Sequence, residues 1–356
     1  MIETISLHPA EPAGRPLLSV RDLRTYFVSD EGTTRAVDGA TFDVRPGKTL
    51  GIVGETGCGK SVTARSILRI VERPGRVVGG EILLQRNGSY VDLATLDPDG
   101  VEIRKIRGGE IGLIFQEPMT SFSPVHTVGD QIIEAIRLHR RLDPRQARAR
   151  AVELYKMVGI PRAEGRLADY SWQLSGGLRQ RAMIAMSLAA DPRLLIADEP
   201  TTALDVTTQA QILELLRELQ RKTGMAIMLI THDLGVIAEM ADDVVVMYLG
   251  RVVEYGTVDQ IFHAPKHPYT QALLRSIPGI QQEARVKLPT ISGSIPHPFA
   301  RPTGCPFHPR CTAAMKGTCE RELPELVRVE EDHHVSCHLY PGAGVDPKES
   351  VREPVG

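Results

Sequence analysis

The chain has 356 residues, of which 42 are Lys or Arg and 44 are Asp or Glu, so its formal net charge at pH 7 is −2. This balance does not favour a nucleic-acid-binding protein. No apolar run approaches the roughly 18 residues needed to span a bilayer, and no apolar signal core opens the sequence, so we expect neither a membrane span nor export.

In chain order, the first 16 residues are rich in Pro, Gly and Ala, and we expect a flexible leader there. From residue 17 to about residue 264, short apolar runs alternate with longer amphipathic stretches, which is typical of a parallel sheet flanked by helices. Four of the runs are apolar on both faces, as central parallel strands are. These predicted strands are Thr49–Val53, Ile111–Phe115, Leu194–Ala197 and Ala226–Ile230.

The segments around these strands indicate further elements. Residues 118–184 are predicted to form a helical subdomain inserted into the α/β core. Thr208–Thr223 is predicted to be a helix that ends at Gly224, and Val244–Tyr255 a hairpin that turns near Gly250. Ala264–Tyr269 is interpreted as a linker, residues 265–341 as a C-terminal extension, and residues 342–356 as a disordered tail.

Six arginines lie close together in the predicted helical subdomain. One interpretation is a nucleic-acid-binding face, but a solvated helix face is commoner, and the acidic Glu134 and Glu153 flank the group. We therefore favour the solvated face. The six are Arg137, Arg140, Arg141, Arg145, Arg148 and Arg150.

A glycine-rich segment directly follows the first predicted strand. It fits the phosphate-binding loop pattern, in which backbone N–H groups and the start of the next helix face phosphate oxygens. Lys60 is expected to reach the β- and γ-phosphates of a nucleotide, and the Ser61 hydroxyl to bind Mg²⁺. A glycine-rich turn without a ligand is the alternative, which the preceding strand disfavours. The candidate nucleotide-binding positions are Gly54, Gly57, Cys58, Gly59, Lys60, Ser61 and Val62.

Two carboxylates end the apolar strand Leu194–Ala197. Asp198 is expected to bind Mg²⁺, and Glu199 to act as the general base that polarises the attacking water. Taken alone, the pattern would equally describe a strand that ends in solvated acids. The phosphate-binding loop upstream favours the catalytic interpretation.

The segment Leu-Ser-Gly-Gly, residues 174–177, opens another predicted helix. Ser175 is a natural N-cap, and Gly176 and Gly177 leave the helix N-terminus uncovered. Because the chain already has a loop for its own nucleotide, a second phosphate-facing helix end would suit the nucleotide of another subunit. An ordinary capped helix with glycines in its first turn is the alternative.

Together these segments resemble the nucleotide-binding subunit of ABC transporters, whose signature sequence Leu-Ser-Gly-Gly is intact here. The order of phosphate-binding loop, signature and strand-ending carboxylates is also that of the family. The resemblance implies an α/β P-loop NTPase core, the ABC ATPase fold, with an inserted helical subdomain and a small cysteine-containing C-terminal extension. It also implies ATP hydrolysis coupled to closure and opening of a dimer.

The resemblance assigns roles to further residues. Gln116 is similar to the Q-loop glutamine that contacts Mg²⁺ and water and senses the membrane partner. The segment Ala203–Asp205 is similar to the D-loop at the dimer interface, so that Asp205 is expected near the partner subunit's nucleotide. His232 resembles the switch histidine that contacts the γ-phosphate. Tyr26 or Phe27 resembles the aromatic residue that stacks on adenine.

Other segments narrow the resemblance to importers of dipeptides and oligopeptides. Residues 117–129, 267–278 and 304–311 are similar to segments of that class, the last to its C-terminal extension. The resemblance implies a second ATPase subunit, two transmembrane permease subunits, a solute-binding protein and a location on the cytoplasmic face of the cell (inner) membrane.

Two alternatives to this function stay open at this point. One is a soluble ABC ATPase of DNA repair or translation; such proteins tend to carry two cassettes or long coiled-coil insertions, which this sequence lacks. The other is an importer in which this chain acts mainly as a regulatory partner.

Four of the five cysteines lie in the last fifth of the chain. Without an export signal, metal ligation is favoured over disulfides. Structural zinc sites use ligand pairs two to four residues apart, which this quartet lacks, whereas iron–sulfur clusters accept thiolates from wider loops. By resemblance to importers that carry a 4Fe–4S cluster, we favour that cofactor. Zinc and unligated thiols remain alternatives. The quartet is Cys305, Cys311, Cys319 and Cys337, and His308, His333, His334 and His338 are candidates for a mixed zinc site.

Overall fold

The computed structural model describes residues 14–116, 121–202, 204–276, 291, 293–297 and 299–341. These residues form two compact units. The first contains residues 45–48 and 96–230, and the second contains residues 14–44, 49–95 and the described residues from 231 onward. Most of the predicted leader, and the whole predicted tail, lie outside the described residues.

The elements are named in chain order. The strands are β1 (Leu18–Ser29), β2 (Gly32–Val44), β3 (Thr49–Val53), β4 (Gly75–Arg86), β5 (Ser89–Asp92), β6 (Ile111–Ile114), β7 (Leu194–Asp198), β8 (Ala226–Ile230), β9 (Asp243–Tyr248), β10 (Arg251–Thr257), β11 (Val327–Glu330) and β12 (His333–Val335). The α-helices are α1 (Lys60–Ile67), α2 (Val101–Ile106), α3 (Val128–His139), α4 (Pro144–Met157), α5 (Ala163–Arg166), α6 (Gly176–Ser187), α7 (Val206–Thr223), α8 (Leu234–Met240), α9 (Val258–His263) and α10 (Pro268–Arg275).

The first unit is built on three parallel strands in the order β6-β7-β8. Every residue of β7 and β8 is buried, which confirms the prediction of central strands with two apolar faces. Strand β6 ends at Ile114, one residue before the predicted end, and Phe115 is exposed. Helix α7 ends at Gly224, which adopts the left-handed conformation with φ of 72°, as predicted for a C-terminal stop.

Helices α3 to α6 follow in the region where the sequence predicts a helical subdomain. Their first turns are fixed by side chains, since Thr127 accepts a hydrogen bond at the start of α3 and Asp143 forms a capping box with Gln146 at the start of α4. Pro144 occupies the first position of α4, where its fixed φ favours helix formation.

The arginine group of this region is mostly solvated, as favoured from the sequence. Arg140 and Arg150 pair with the two carboxylate oxygens of Asp191. The other four arginines of the group are exposed. The Arg150 Nη2 to Asp191 Oδ1 distance is 2.7 Å. Two of the six guanidinium groups thus anchor α3 and α4 to the loop before β7.

The second unit contains an antiparallel sheet with the strand order β2-β1-β4-β5. It also contains the strands β11-β12-β10-β9-β3, in which β3 and β9 are parallel and the other neighbours are antiparallel. Strands β9 and β10 form the predicted hairpin and turn through Leu249 and Gly250, both with positive φ. All of β3 is buried, as predicted.

The interpretation of Ala264–Tyr269 as a linker is wrong at its end, because α10 already begins at Pro268. The ring nitrogen Nδ1 of His267 accepts a hydrogen bond from the Tyr269 N–H at 3.0 Å and so caps the helix. A proline one residue after a capping side chain starts a helix instead of interrupting it, and the sequence interpretation missed this.

The buried Glu254 of β10 joins three parts of the second unit. Its carboxylate accepts hydrogen bonds from the backbone N–H groups of Lys266 and His267, at 2.6 and 3.0 Å. The third contact is with Nε2 of His333 in β12, at 2.8 Å. Glu254 and His333 are both fully buried. These contacts fix the start of α10 and the β11–β12 hairpin against β10.

No helix within the described part of the chain is long and apolar enough to cross a membrane.

The cap at the start of α10 predicts a pH-dependent stability. His267 is 1% exposed, and burial lowers its pKa to about 4. The unfolded chain would take up this proton near pH 6.5 and the folded chain only near pH 4, so the free energy of unfolding falls as the pH drops through that window, by at most about 1.4 kcal/mol per pH unit. In His267→Asn, which keeps a capping side chain that does not titrate, we expect a shallower fall.

Urea unfolding between pH 4 and pH 8 measures this slope. The matched control is His263→Asn, at an exposed histidine in α9, which is expected to keep the wild-type slope. An unchanged slope in His267→Asn would show that the buried imidazole does not carry the effect.

Candidate functional site

The glycine-rich loop lies between β3 and α1 in the second unit, as the sequence predicts. Gly54 and Gly59 have φ values of 151° and 102°, in a region that side chains rarely adopt. A Cβ on Gly54 would lie 2.2 Å from the carbonyl oxygen of Met247, and a Cβ on Gly59 would lie 2.2 Å from that of Ala36. The backbone path of the loop therefore requires glycine at both positions.

Lys60, the first residue of α1, points back into this loop. Its Nζ donates hydrogen bonds to the carbonyl oxygens of Gly54 at 2.7 Å and Glu55 at 3.2 Å, and the residue is 6% exposed. The ammonium group is thus held inside the ring formed by its own loop. A phosphate oxygen placed there would gain a charged donor in addition to backbone N–H groups.

The N-terminus of α1 has no side chain covering it. Gly59 is its N-cap, no side-chain cap hydrogen bond is made, and the first turn holds no acidic residue. The N–H groups of a first helical turn have no partner within the helix, so an anion is a favourable partner for them. Ser61 and Val62 follow Lys60 in this turn.

Cys58 has no reactive character in this loop. It is 3% exposed, and burial raises the pKa of its thiol. A buried thiol with a raised pKa holds little thiolate at neutral pH. This agrees with a purely backbone role for Cys58 in the loop.

In the first unit, the structure brings together Gln116 and Glu199, two residues that the sequence assigns to catalysis. The Gln116 amide Nε2 donates a hydrogen bond to Glu199 Oε2 at 3.1 Å. Thr202 Oγ1 donates to the same oxygen at 2.8 Å. Sequence reasoning did not identify Thr202, since a threonine three residues after a carboxylate carries no signal of its own.

The backbone also fixes the position of the Glu199 carboxylate. Glu199 has a φ of 49°, which is uncommon for a residue with a side chain, and its N–H donates to the Ile230 carbonyl oxygen at 2.8 Å. Asp198, the last residue of β7, is 5% exposed. The two adjacent carboxylates therefore stand at the end of a rigid buried strand, one buried and one in the turn that follows.

The signature segment forms an exposed helix start in the same unit. Ser175 Oγ accepts a hydrogen bond from the Leu178 N–H at 3.4 Å, which confirms the predicted N-cap. Ser175 and Gly176 are exposed. Behind them, the buried Gln180 donates to the Pro200 carbonyl oxygen at 2.6 Å, so that α6 is tied to the turn that carries Glu199.

Asp205 caps α7 and is linked to the signature segment by one threonine. Its carboxylate accepts hydrogen bonds from the N–H of Thr208 at 2.9 Å and from its hydroxyl at 2.7 Å. These hydrogen bonds lower the pKa of Asp205. The Cγ2 methyl of the same Thr208 lies 2.9 Å from the position that a Cβ on Gly177 would take. Ala203, also predicted to belong to this segment, lies outside the described residues.

His232 belongs to the second unit and follows Thr231, whose N–H donates to the Ile52 carbonyl oxygen at 3.3 Å. Since Ile52 lies one residue before the end of β3, this bond places the backbone next to His232 beside the end of β3 from which the glycine-rich loop begins. His232 is exposed.

The two candidates for adenine stacking lie on β1 in the second unit. The Tyr26 hydroxyl donates to Asp38 Oδ1 at 2.5 Å, and the Arg35 guanidinium carbon lies 5.7 Å from the Tyr26 ring centroid. The Phe27 ring packs against Gly75, with Cε1 2.5 Å from the position that a Cβ would take there. Stacking by either ring stays a prediction.

The four late cysteines gather in one region of the second unit. The Cys305 N–H donates to the Cys319 carbonyl oxygen at 2.9 Å, and the Met315 N–H donates to Cys319 Sγ at 3.4 Å. Burial, and then the other three thiols of the quartet, raise the pKa of Cys337 to about 11. Burial also raises the pKa of Cys305 and of Cys311. A cation at this quartet would favour the thiolates that the protein alone disfavours.

Three of the four candidate histidines for a mixed zinc site make polar contacts, and the ring of the fourth, His334, stacks on Tyr255. His308 Nδ1 contacts the Cys305 carbonyl oxygen and His338 Nε2 that of Glu322, each at 2.9 Å. His333 contacts Glu254. Within the described ranges, no group of three or more His, Cys, Asp or Glu side chains is arranged to hold a single metal ion. The same finding applies to the predicted cluster, so the choice between a cluster, zinc and unligated thiols stays a prediction.

Comparison with known proteins extends these observations. Residues 37–202 match the family model described as ABC transporter, and residues 253–319 match that of the oligopeptide/dipeptide transporter C-terminal region. The oligopeptide transport ATP-binding protein AppD of Bacillus subtilis (strain 168) is 48% identical over 331 residues, which cover 93% of this chain and 98% of AppD. The probable peptide ABC transporter ATP-binding protein y4tR of Sinorhizobium fredii (strain NBRC 101917 / NGR234) is 47% identical over 329 residues, which cover 92% of this chain and 96% of y4tR.

Two solved structures show the same fold. The dimeric structure of MJ0796, a bacterial ABC transporter cassette, matches with a TM-score of 0.60 and 27% identity and covers 68% of this chain and 98% of that one. The structure of cbiO1 from Clostridium perfringens, part of the ABC transporter complex cbiONQ, matches with a TM-score of 0.58 and 28% identity and covers 70% and 91%. The α/β cassette fold expected from the sequence is thereby confirmed.

The contact between Gly177 and Thr208 predicts the effect of one added methyl group. Gly177→Ala would force Thr208 away from Asp205, and we expect a loss of about 1–3 kcal/mol in the free energy of unfolding. Thr208→Ser removes the methyl group and keeps the hydroxyl, so the double variant should recover most of the loss. Urea unfolding measures both, with Gly165→Ala as the control, since open space surrounds that position. If the double variant is no more stable than Gly177→Ala, the methyl contact is not the cause.

Proposed function

The chain belongs to the ABC transporter family of ATP-binding subunits, and from this membership we propose that it hydrolyses ATP to power the import of peptides or related small solutes. The observation that carries the proposal is the hydrogen-bonded set of Gln116, Thr202 and Glu199 at the end of a buried strand. This arrangement suits a general base for water attack, because two neutral donors orient the carboxylate.

Each of the sequence motifs has a role in the proposed reaction. Lys60 and the N–H groups of the glycine-rich loop hold the β- and γ-phosphates, and His232 contacts the γ-phosphate. Glu199 accepts the proton of the attacking water, which Gln116 helps to orient. Tyr26 or Phe27 stacks on adenine.

Ser61, Asp198 and Gln116 are the residues that would hold Mg²⁺. They supply a hydroxyl, a carboxylate and an amide oxygen, which is the type of donor this cation prefers. The Gln116 amide nitrogen faces Glu199, so its oxygen is the atom left to face a cation. Bound Mg²⁺ would neutralise charge on the phosphates.

A second ATPase subunit completes the proposed site. The exposed helix start formed by Ser175, Gly176 and Gly177 would bind the γ-phosphate of the nucleotide held by that subunit, and Asp205 would lie at the shared interface. Two transmembrane permease subunits and a solute-binding protein complete the proposed importer, with this chain bound peripherally at the cytoplasmic face of the cell (inner) membrane. Since AppD and y4tR carry names of peptide transporters, action in DNA repair or translation is not favoured.

The role of Glu199 is tested by Glu199→Gln in the assembled transporter. The amide keeps the shape and the contacts to Thr202 but cannot accept a proton, so we expect phosphate release to fall at least about 100-fold while ATP binding is kept. Glu214→Gln, at an exposed carboxylate of α7, serves as the matched control and should retain wild-type turnover. Full turnover in Glu199→Gln would instead favour the alternative in which this chain is a regulatory partner.

A 4Fe–4S cluster on Cys305, Cys311, Cys319 and Cys337 is the second part of the proposal. The Cys305 N–H bond to the Cys319 carbonyl oxygen, which brings two of the four cysteines together, supports it, and so does the N–H donor to Cys319 Sγ, since cluster sulfurs commonly accept such bonds. The role would be structural or regulatory.

Anaerobic purification followed by iron, sulfide and zinc analysis tests this cofactor. We expect about four irons and four sulfides per chain, lost in Cys311→Ser and retained in Cys58→Ser, the control at the cysteine outside the quartet. One zinc without sulfide, or no metal, would refute the cluster and leave the ATPase assignment unchanged.

A further inference from the structure

The C-terminal extension contacts the phosphate-binding loop through a buried ion pair. Arg310 lies one residue before Cys311, and Glu55 is the second residue of the loop. Arg310 Nη1 lies 2.7 Å from Glu55 Oε2, and Nη2 lies 3.0 Å from Oε1. The side chains are 4% and 21% exposed. This two-bond geometry is the strong form of an arginine–carboxylate contact.

The Arg310 guanidinium is held in place from a second side. Its Nη1 donates to the Tyr248 hydroxyl at 3.3 Å, and its central carbon lies 5.8 Å from the Tyr248 ring centroid. The hydrogen bonds to Glu55, and then that to Tyr248, raise the pKa of Arg310. The guanidinium is therefore always charged and has one orientation.

Glu55 is also held through its backbone. Its N–H donates to the hydroxyl of the buried Tyr269 at 2.9 Å, and its carbonyl oxygen accepts from Lys60 Nζ at 3.2 Å. Tyr269 belongs to α10, outside the loop. Glu55 thus connects two parts of the C-terminal extension, α10 and the Arg310 segment, with Lys60 of the loop.

The segment around Arg310 is packed into the same region. Phe307 contacts Tyr248 and Tyr269 with ring centroids 5.2 and 5.3 Å apart. The Arg310 N–H donates to the Phe307 carbonyl oxygen at 3.0 Å, and the Cys311 N–H donates to that of His308 at 3.2 Å. Arg310 is thereby fixed to the cysteine-bearing loop on one side and to the phosphate-binding loop on the other.

We propose that Arg310 is a positioning residue for ATP, which neutralises the Glu55 carboxylate and fixes the phosphate-binding loop in its anion-binding conformation. This inference rests on the proposed ATPase function. Without Arg310, a carboxylate within the loop would carry an uncompensated negative charge close to the bound phosphates, and like charges at short range in a partly buried site repel. The loop would also lose one of the contacts that orient its N–H groups before ATP arrives.

The proposal makes the C-terminal extension part of the nucleotide site. Arg310 belongs to the extension, so the affinity for ATP depends here on the folding of a module some 255 positions away from the loop. Because Arg310 directly precedes Cys311, a change at the cysteine quartet would move the guanidinium as well.

The test is a double-variant cycle on the purified full chain, with ATP affinity measured by calorimetric titration in the presence of Mg²⁺. We expect Arg310→Met to weaken ATP binding about 10-fold or more, which corresponds to about 1.4 kcal/mol, and Arg310→Lys to lie between Arg310→Met and wild type. Glu55→Gln combined with Arg310→Met should bind ATP more tightly than Arg310→Met alone, since the unpaired carboxylate is gone.

Arg328→Met removes an exposed arginine of the same extension and should bind ATP like wild type. In the assembled transporter, Arg310→Lys should raise KM for ATP with little change of kcat at saturating ATP, whereas general damage to the extension would lower kcat. Unchanged ATP affinity in Arg310→Met, or no recovery in the double variant, would overturn the inference. Failure of the wild-type chain to bind ATP would instead overturn the proposed function itself.

Discussion

The second unit depends on one carboxylate that has no contact with solvent. Burying Glu254 without donors would be strongly unfavourable, so the chain must supply them, and it does so from the segment before α10 and from β12. These contacts place His267 as the cap of α10, and Tyr269 follows two residues later. The same contacts anchor the β11–β12 hairpin of the extension. The junction thereby helps to place the Tyr269 hydroxyl, which accepts a hydrogen bond from the phosphate-binding loop.

Patterns that are local in the sequence predicted much of the fold. The buried strands β3, β7 and β8, the stop at Gly224 and the hairpin at Gly250 each follow from a short run of residues whose burial or backbone conformation is fixed by its own composition. The predicted linker Ala264–Tyr269 was wrong at its last two residues, because a proline has opposite meanings at the first position of a helix and inside it. Contacts between distant positions, such as that of Asp191 with Arg140 and Arg150, leave no local pattern.

The candidate site divides in the same way. The order and spacing of the motifs are specific enough to identify five candidate site residues from the sequence, namely Lys60, Ser61, Gln116, Asp198 and Glu199. The hydrogen bond between Gln116 and Glu199 fits that assignment. The hydrogen bond from Thr202 to Glu199 and the ion pair of Arg310 with Glu55 depend on proximity in the folded chain. Threonine and arginine are common residue types, so the sequence does not indicate these contacts. Tyr26 and Phe27 are adjacent on β1 and therefore point to opposite faces of the strand. Which of them would stack on adenine depends on the face that the adenine contacts, and the sequence alone does not determine that face.

The single threonine at position 208 contacts two segments of the first unit that are far apart in the sequence. One of its groups packs against the signature glycine that would serve the partner's ATP, and another holds Asp205, expected at the shared interface. Any movement of one segment is therefore passed to the other within a single side chain. A substitution at position 208 would therefore disturb the start of α6 and the start of α7 together.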